Sequence, residues 1–512
     1  MSDGDHHDRA SDAAATSGSG LAAERVRRQR RVDDLRAAGR QPYPYRFDRM
    51  HSAADVRELG AELGPGAETD IAVSIAGRLM LKRDTGKLVF LTVADRGVDL
   101  QLFISKAVVG DEEFADVKAL DRGDWVGATG TVMTTRAGEI SVKVEHLVLL
   151  AKALRPFPDK WHGLADPDIR YRQRYADLAV NAHARRVFEI RHAVVASFRA
   201  TLLDRGFVEV ETPIFHVEPG GAHARPFVTH HNTLDLPLYL RVATELHLKR
   251  LIVGGFDRVF EIGRTFRNEG MDATHNPEFT MMESYQAFGD VSDVMELTEA
   301  LVVNAARHAV GTTMIDIAGE QVDLAERWPR LGMSETVSTA VGSAVHPSSS
   351  PESMRELATE HGVRWEPSWG SGKLIEELFE KLCEDAIVRP TFVTGHPVEV
   401  SPLARVDPAD PEVSDRFELF IDGREYANGY SELNDPVEQR QRFEDEQKAR
   451  DAGDLDRGSL DEDYLRALEY GMPPTAGLGV GIDRLVMLLA GVHNIKDVIL
   501  FPTLRPEPRE DG

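Results

Sequence analysis

The sequence predicts an α+β protein in two parts, a small N-terminal β-barrel and a larger domain on an antiparallel β-sheet. Three observations support this. Short alternating, strand-like segments at 71–77, 88–95, 99–104, 125–131 and 139–150 crowd together with turn residues between them, the spacing of a small barrel such as an OB-fold. Beyond Arg155-Pro-Phe-Pro, helix-like and strand-like stretches alternate, and the strands come in antiparallel-looking sets. No Gly-x-Gly-x-x-Gly or Walker loop occurs, so a nucleotide site requires a different cradle.

The elements follow in order. Residues 1–20 are mostly Ala, Ser, Gly, Asp and His, a composition expected to be disordered. A helical segment is expected over 21–64; its stretch 21–40 holds seven arginines against Glu24, Asp33 and Asp34 and stops near Gly39 and Pro42. Such a basic helix either touches nucleic acid or presents a solvated face. The barrel occupies 65–153. Residues 154–512 form the larger domain, with helices expected over 169–181 and 185–205, a strand over 206–213 closed by Pro213, and a helical insertion at about 311–389.

Composition narrows the class. The 512 residues, 42% hydrophobic and 28% charged, have enough chain for about three globular domains. The 85 acidic against 60 basic side chains, a net charge of −25, argue against indiscriminate polyanion binding. A single cysteine, Cys383, excludes an intrachain disulfide framework and multi-cysteine metal sites. No apolar run approaches the ~18 residues of a membrane span, and the N-terminus lacks a secretory pattern, so a cytoplasmic protein with no membrane contact is expected.

Three segments carry the chemistry. In 258–288, alternation puts Val259, Glu261, Gly263, Thr265, Arg267 and Glu269 on one strand face, and Phe279, Met281, Glu283 and Tyr285 on one face of the next strand. If the faces coincide, one surface presents an arginine, an aromatic ring and several carboxylates. In 477–484, Gly477, Gly479 and Gly481 leave a strand face bare for a flat ring, and Arg484 opens an apolar helix whose N-terminus favours an anion. In 417–434, a hairpin turn at Asp422-Gly423 is expected to set Glu418 opposite Ala427 and diagonal to Glu425, a seat for a hard cation. Simple alternation places Asn428, Tyr430 and Glu432 on the other face, so a bulge, at Gly429 for example, or a different turn must reconcile the two groups. In the barrel, Phe90 and Gln101 on adjacent strands offer a stacking surface and a base-edge contact.

Phe266-Arg267-Asn268-Glu269 resembles motif 2 of class II aminoacyl-tRNA synthetases, 477–484 resembles motif 3 and 206–213 motif 1. With HGLADPDIRYRQRYADL from His162, PGGAHARPFVTHHN from Pro219, PVEVSPLAR from Pro397 and LEYGMPPTAGLGVGIDR from Leu468, the chain is similar to the lysyl-tRNA synthetase family over about 71–506. The resemblance implies an OB-fold anticodon domain, a class II catalytic domain, a homodimer with motif 1 at its interface, and tRNA(Lys), lysine, ATP and Mg2+ as partners, substrates and cofactor. Arg267 and Arg484 are implied as the catalytic charge-neutralising pair. Glu269, His275, Asn276, Phe279, Glu425 and Gly481 are implied with them around ATP, and Glu418 and Glu425 around Mg2+. Gly221, Glu245, Glu283, Tyr285, Asn428, Tyr430 and Glu432, with Arg267, are implied around lysine. Arg78, Phe90, Gln101 and Glu139 match the anticodon-reading positions. The chain departs from common family choices at Ala427, Tyr430, His247 and Thr274. An acidic amino acid would need a cationic pocket, whereas Glu245, Glu283 and Glu432 make this one acidic.

Overall fold

The computed structural model describes residues 7–157, 164–451 and 460–507. They divide between two compact units, Met1–Arg185 and Arg186–Gly512. In the first, β1 (Glu68–Asp84), β2 (Leu88–Asp95), β3 (Val98–Ser105), β4 (Trp125–Thr134) and β5 (Ile140–Ala151) close into a barrel in the order β1-β2-β3-β5-β4, antiparallel except between β3 and β5. Period-two alternation fills it: Val89, Leu91 and Val93 of β2 and Leu100, Leu102 and Ile104 of β3 are fully buried. A helix, Lys106–Ala119, joins β3 to β4; Gly110 at φ +82° interrupts its pattern, and Phe114 and Val117 pack on the barrel core.

The N-terminal helix spans His7–Ala37 and so begins inside the stretch whose composition implied disorder. Ala10, Ala13, Ala14 and Ala15 favour helix strongly enough to carry it upstream; residues 1–6 lie outside the described residues. Some of its arginines, with Arg40 just beyond its end, turn to the barrel unit. Arg27 reaches Asp121 at 2.6 Å, buried Arg28 donates to the carbonyls of Arg122, Ala153 and Arg155, and Arg31 and Arg40 both take Asp116. The helix expected over 169–181 is broken at Gln173 into Pro167–Arg172 and Arg174–Val180, where Asp177 receives Arg170, Arg174 and Asn181. The first unit therefore runs past the 153/154 boundary drawn from composition.

The second unit is built on eight strands: β6 (Val208–Glu209), β7 (Arg258–Phe266), β8 (Glu278–Ala287), β9 (Arg330–Gly332), β10 (Thr391–Thr394), β11 (Arg416–Ile421), β12 (Arg424–Ser431) and β13 (Thr475–Gly481). Their order is β9-β10-β11-β12-β13-β8-β7-β6, antiparallel except for the edge pairs β6–β7 and β9–β10. Of the strand expected at 206–213, Val208 and Glu209 pair with β7 and Val210 adds one N–H to the Phe260 carbonyl. The interval 311–389 is not purely helical: it supplies a hairpin, Met314–Ile317 with Glu320–Asp323, and edge strand β9 before its helices Met333–Val341, Pro351–Glu360 and Ser371–Leu382.

Helices Ala182–Asp204, Val291–Val310 and Ile482–Ala490 cover one face of the sheet, burying Phe260, Met282, Phe417, Leu419, Leu478 and Val480. The first of these carries apolar residues at helical spacing (Val187, Ile190, Val194, Phe198, Leu202). The second is fixed at its ends by an Asp290–Asp293 capping box and by Gly311 at φ +79°. The opposite face of the sheet, read by the alternate residues, is left for the site. Among the described residues, no helix is long and apolar enough to cross a membrane.

Candidate active site

Every residue of the larger domain assigned to lysine, ATP or Mg2+ lines one cleft of about 470 Å3 on this open face, whereas Glu261 of the same strand face is instead taken by Arg241 and Thr212. The β7–β8 register pairs Glu261 with Glu283, Gly263 with Met281 and Thr265 with Phe279, so the two predicted faces do coincide. Arg267 and Glu269 lie just past the end of β7, in the turn that leaves the strand. Arg267 sets its guanidinium 5.1 Å from the Phe279 ring centre, and its buried Nε makes no hydrogen bond among the described residues. Burial lowers its pKa, opposed by Glu425 and Glu269; an arginine remains charged there and is free to take an anion.

The third segment folds differently from the expectation. Asp422 and Gly423, at φ +52° and +62°, make the two-residue turn, but Glu418 stands opposite Asn428 rather than Ala427. The register slips between Leu419 and Phe420, which face Ala427 and Glu425, so Tyr426 is the extra residue of a bulge. Tyr426 and Ala427 both enter the core, and Glu425 thereby joins Asn428, Tyr430 and Glu432 along the cleft. The bulge that reconciles the parities lies at Tyr426, not at Gly429.

Glycine at 477 serves a different purpose from a platform for a ring. A Cβ there would overlap Oε1 of Glu432 and come within 2.6 Å of Tyr285 Cε1, so this glycine makes room for the Glu432 carboxylate. Gly479 and Gly481 line the cleft beyond it. Gly221, at φ +89°, brings its loop against Ala243 and Glu245, where a Cβ would sit 3.2 and 3.3 Å from theirs.

One end of the cleft gathers buried carboxylates. Glu283 accepts from the Thr244 N–H at 3.0 Å and from the Tyr285 hydroxyl at 3.3 Å; burial, then Glu245, pushes it up to about 7. Glu245, at the start of helix Glu245–Val253, accepts from the Tyr430 hydroxyl at 2.7 Å and from Lys249 at 2.5 Å. Glu432 is 1% exposed and ion-pairs with the same Lys249. Burial lowers the Lys249 pKa, but Glu245 and Glu432 more than offset this and hold it above the ordinary lysine range.

The other end gathers arginines and a carboxylate pair. Arg484 donates to the Glu425 carbonyl at 2.7 Å and stands 3.4 Å from Nε2 of His275. Asp483 anchors the start of that helix, accepting from Arg191 and from the Thr280 N–H. Asp272 takes Nδ1 of His275 at 2.9 Å along with the amide hydrogens of Thr274 and His275. Asn276 donates to the Glu278 carbonyl and leaves its own Oδ1 without a partner among the described residues. Arg416 donates to Glu418 at 2.6 Å and to Asn428 Oδ1 at 3.1 Å. Burial raises Glu418, and burial with Glu418 raises Glu425; nearby Glu384 is pushed to about 7 by burial and by these two. Two buried carboxylates close enough for Glu418 to raise Glu425 fit a hard divalent cation that keeps most of its other ligands as water or phosphate oxygens.

The barrel separates the four nominated residues. Phe90 pairs across strands with Phe103, the rings 5.5 Å apart, and Gln101 donates to Ser141 Oγ on β5, next to Glu139. Arg78 is not with them. It is wedged against Trp125 and Phe157, donates to the Gly123 carbonyl, and has its pKa lowered by burial. The arginine over Phe90, 4.6 Å from its ring centre, is Arg83, its cross-strand partner.

Sequence reasoning therefore missed Lys249, Arg416, Asp272 and Arg83. Lys249 sits four residues after Glu245 on one helix, and Arg416 two before Glu418 on one strand; both spacings were visible.

Comparison with known proteins places these units. The family of class II tRNA synthetases for D, K and N matches residues 166–505, and the OB-fold nucleic acid binding domain family matches 73–150. A lysine–tRNA ligase of Bacillus subtilis is 50% identical over 480 residues, 93% of this chain and 96% of its own. One from Enterococcus faecalis is 50% identical over 483 residues, again 93% and 96% of the two chains. One from a Synechococcus species is 50% identical over 484 residues, 94% and 96%.

Proposed function

The chain belongs to the lysine–tRNA ligases of the class II aminoacyl-tRNA synthetase family, and from that premise we propose how its residues divide the work of joining lysine to tRNA(Lys). Lysine is first activated with ATP to lysyl-adenylate and pyrophosphate, and the lysyl group then passes to the tRNA 3′ end with release of AMP. A single juxtaposition carries the assignment: buried Glu245, Glu283 and Glu432 at one end of the cleft, with Arg267 and Arg484 at the other. Lysine presents two ammonium groups and one carboxylate, and this cleft is their complement.

Glu245 takes the α-ammonium, with Gly221 admitting the substrate backbone beside it. Glu432 and Tyr285 take the side-chain ammonium. Oε1 of Glu432 is buried without a hydrogen-bond partner among the described residues, as an acceptor reserved for a ligand would be. Glu283 supports both, and Tyr430 fixes Glu245 through its hydroxyl. Asn428 lies by the carboxylate, which Arg267 holds beside the α-phosphate.

The lysine carboxylate is itself the nucleophile, so activation needs no side-chain base. Its oxygen attacks the α-phosphorus, and the bond to pyrophosphate breaks. Arg267 neutralises charge on the α-phosphate, Arg484 meets the γ-phosphate, and Glu269, His275, Asn276, Phe279 and Gly481 hold adenine and nearby phosphate. Glu418 and Glu425 would hold Mg2+, which when bound neutralises and orients the triphosphate. The terminal ribose hydroxyl of the tRNA then attacks the lysyl carbonyl and displaces AMP.

The anticodon is read on the barrel by Phe90, Gln101 and Glu139, with Arg83 in the place expected for Arg78. A homodimer through the motif 1 edge is supported by the exposed apolar side chains of Val208, Ile214, Phe215 and Val217 beside edge strand β6. A cytoplasmic location accords with the lone cysteine. Lysine-dependent ATP–pyrophosphate exchange followed by charging of tRNA(Lys) tests the whole. Equal exchange with ornithine or arginine contradicts the pocket assignment, and exchange without charging contradicts the acceptor.

A further inference from the structure

We propose that Lys249 is a positioning residue that sets how many ammonium groups the lysine pocket accepts. The proposal rests on the assignment of Glu245 and Glu432 to the two substrate ammonium groups. Lys249 is completely buried. Its Nζ donates to Glu245 Oε1 at 2.5 Å and ion-pairs with Oε2 of Glu432, leaving Oε1 of Glu432 without a hydrogen-bond partner among the described residues. The third carboxylate, Glu283, is held by the Thr244 N–H and the Tyr285 hydroxyl. The other titratable or charged groups facing this cluster are the phenols of Tyr285, Tyr430 and Tyr464, the Tyr285 and Tyr430 ring centres 6.0 and 5.5 Å from Nζ, and the Arg267 guanidinium, which acts on Glu283 and is assigned to the substrate carboxylate.

In the empty pocket burial raises the pKa of both Glu283 and Glu432; ionised around bound lysine, three carboxylates against one resident ammonium leave two charges, and lysine brings two ammonium groups. A neutral isostere such as norleucine brings one and strands a buried carboxylate, which is costly. Without Lys249 the count changes. Three carboxylates would face two ammonium groups, and the surplus would be relieved by a proton retained on the Glu245–Glu432 pair. A protonated carboxyl no longer demands an ammonium partner, so selectivity weakens, and because that proton leaves as pH rises, lysine binding improves with pH.

The test is Lys249→Met in ATP–pyrophosphate exchange, with lysine and norleucine as substrates. The lysine KM should rise, and the preference for lysine over norleucine should fall, each roughly tenfold or more near pH 7, with the ATP KM within about twofold. The lysine KM should recover as pH is raised, more steeply than any pH dependence of the wild type. The double variant Lys249→Met/Glu283→Gln restores the charge count while keeping Glu245 and Glu432, and should bind lysine better than the single variant. Unchanged selectivity, or lysine and ATP KM rising together with no pH dependence, overturns the proposal. If the single variant does not fold, the double variant decides, since it carries no surplus buried carboxylate; its failure to fold or to prefer lysine leaves Lys249 a packing role only. Wild-type exchange run in parallel separates the two readings: a wild type indifferent between lysine and norleucine refutes the pocket assignment itself.

Discussion

Replacing Glu432 by glutamine probes the lysine pocket with the least change of shape. The side chain is 1% exposed, and Gly477 opposite it leaves no slack for repositioning. The amide would keep the volume and lose the charge that meets the substrate's side-chain ammonium. Breaking a buried ion pair by removing one partner costs about 3–5 kcal/mol. The amide oxygen still accepts a hydrogen bond, so the low end applies, roughly two decades in kcat/KM for lysine at about 1.4 kcal/mol per decade. Lys249 also loses a partner but keeps Glu245 at 2.5 Å, so the fold should survive. The proposed ATP site lies at the Arg267–Arg484 end, so the ATP KM should stay within about twofold. The assay is ATP–pyrophosphate exchange with each substrate varied in turn. A loss shared equally between lysine and ATP, or a lysine effect below about fivefold, would refute the assignment of Glu432 to the side-chain ammonium.

Gly477→Ala should abolish lysine activation and lower the melting temperature, because the added methyl overlaps Glu432 and Tyr285; overpacking of this kind costs about 1–3 kcal/mol. Arg83→Ala should weaken tRNA charging by about 0.5–2 kcal/mol in kcat/KM for tRNA while leaving pyrophosphate exchange intact. Arg78→Ala should instead destabilise the barrel, as followed by thermal melting, because Arg78 packs between Trp125 and Phe157. Glu283, pushed up to about 7 from 4.5, holds its proton in the folded protein over a range where the unfolded chain has lost it. Its contribution to stability is therefore present at low pH and lost as pH rises from about 4.5 through about 7, at most about 1.4 kcal/mol per pH unit. Melting of the ligand-free protein across that range should show this decline, and Glu283→Gln should make it shallower, the remainder belonging to Glu384 and the other raised carboxyls.

The motif 2 hairpin was legible because period-two alternation survives from one strand to the next: all the odd-numbered positions from Val259 to Thr265 and from Phe279 to Tyr285 do share a face. The barrel was legible for the same reason, with β2 placed at its observed ends. Alternation fails where one residue is inserted, and the bulge at Tyr426 inverted the parity that separated Glu425 from Asn428. Nothing in Glu-Tyr-Ala marks a bulge locally; the need to bury both Tyr426 and Ala427 does. Arg78 and Arg83 show a related limit. Both lie on β1, but which guanidinium meets Phe90 is decided by cross-strand register, and Arg83 stands directly opposite it. Lys249 was passed over because an apolar helix face conceals which buried polar groups it is built to meet.

The net charge of −25 takes on a sharper meaning from the cations built into the cleft. A site proposed to take ammonium groups and a divalent cation must also remain folded when empty, and clustered buried carboxylates oppose that. Lys249 meets Glu245 and Glu432, while Arg416 meets Glu418. Arg416 engages Glu418 through Oε1 and spends its Nε on Asn428. One guanidinium thereby orients a proposed metal ligand and a proposed contact to the lysine carboxylate, linking the two subsites that must align when the carboxylate attacks phosphorus. Acidic residues alone would make a cleft that attracts cations; these two built-in cations make one that stays ordered without them and leaves specific oxygens, such as Oε1 of Glu432, for the substrate.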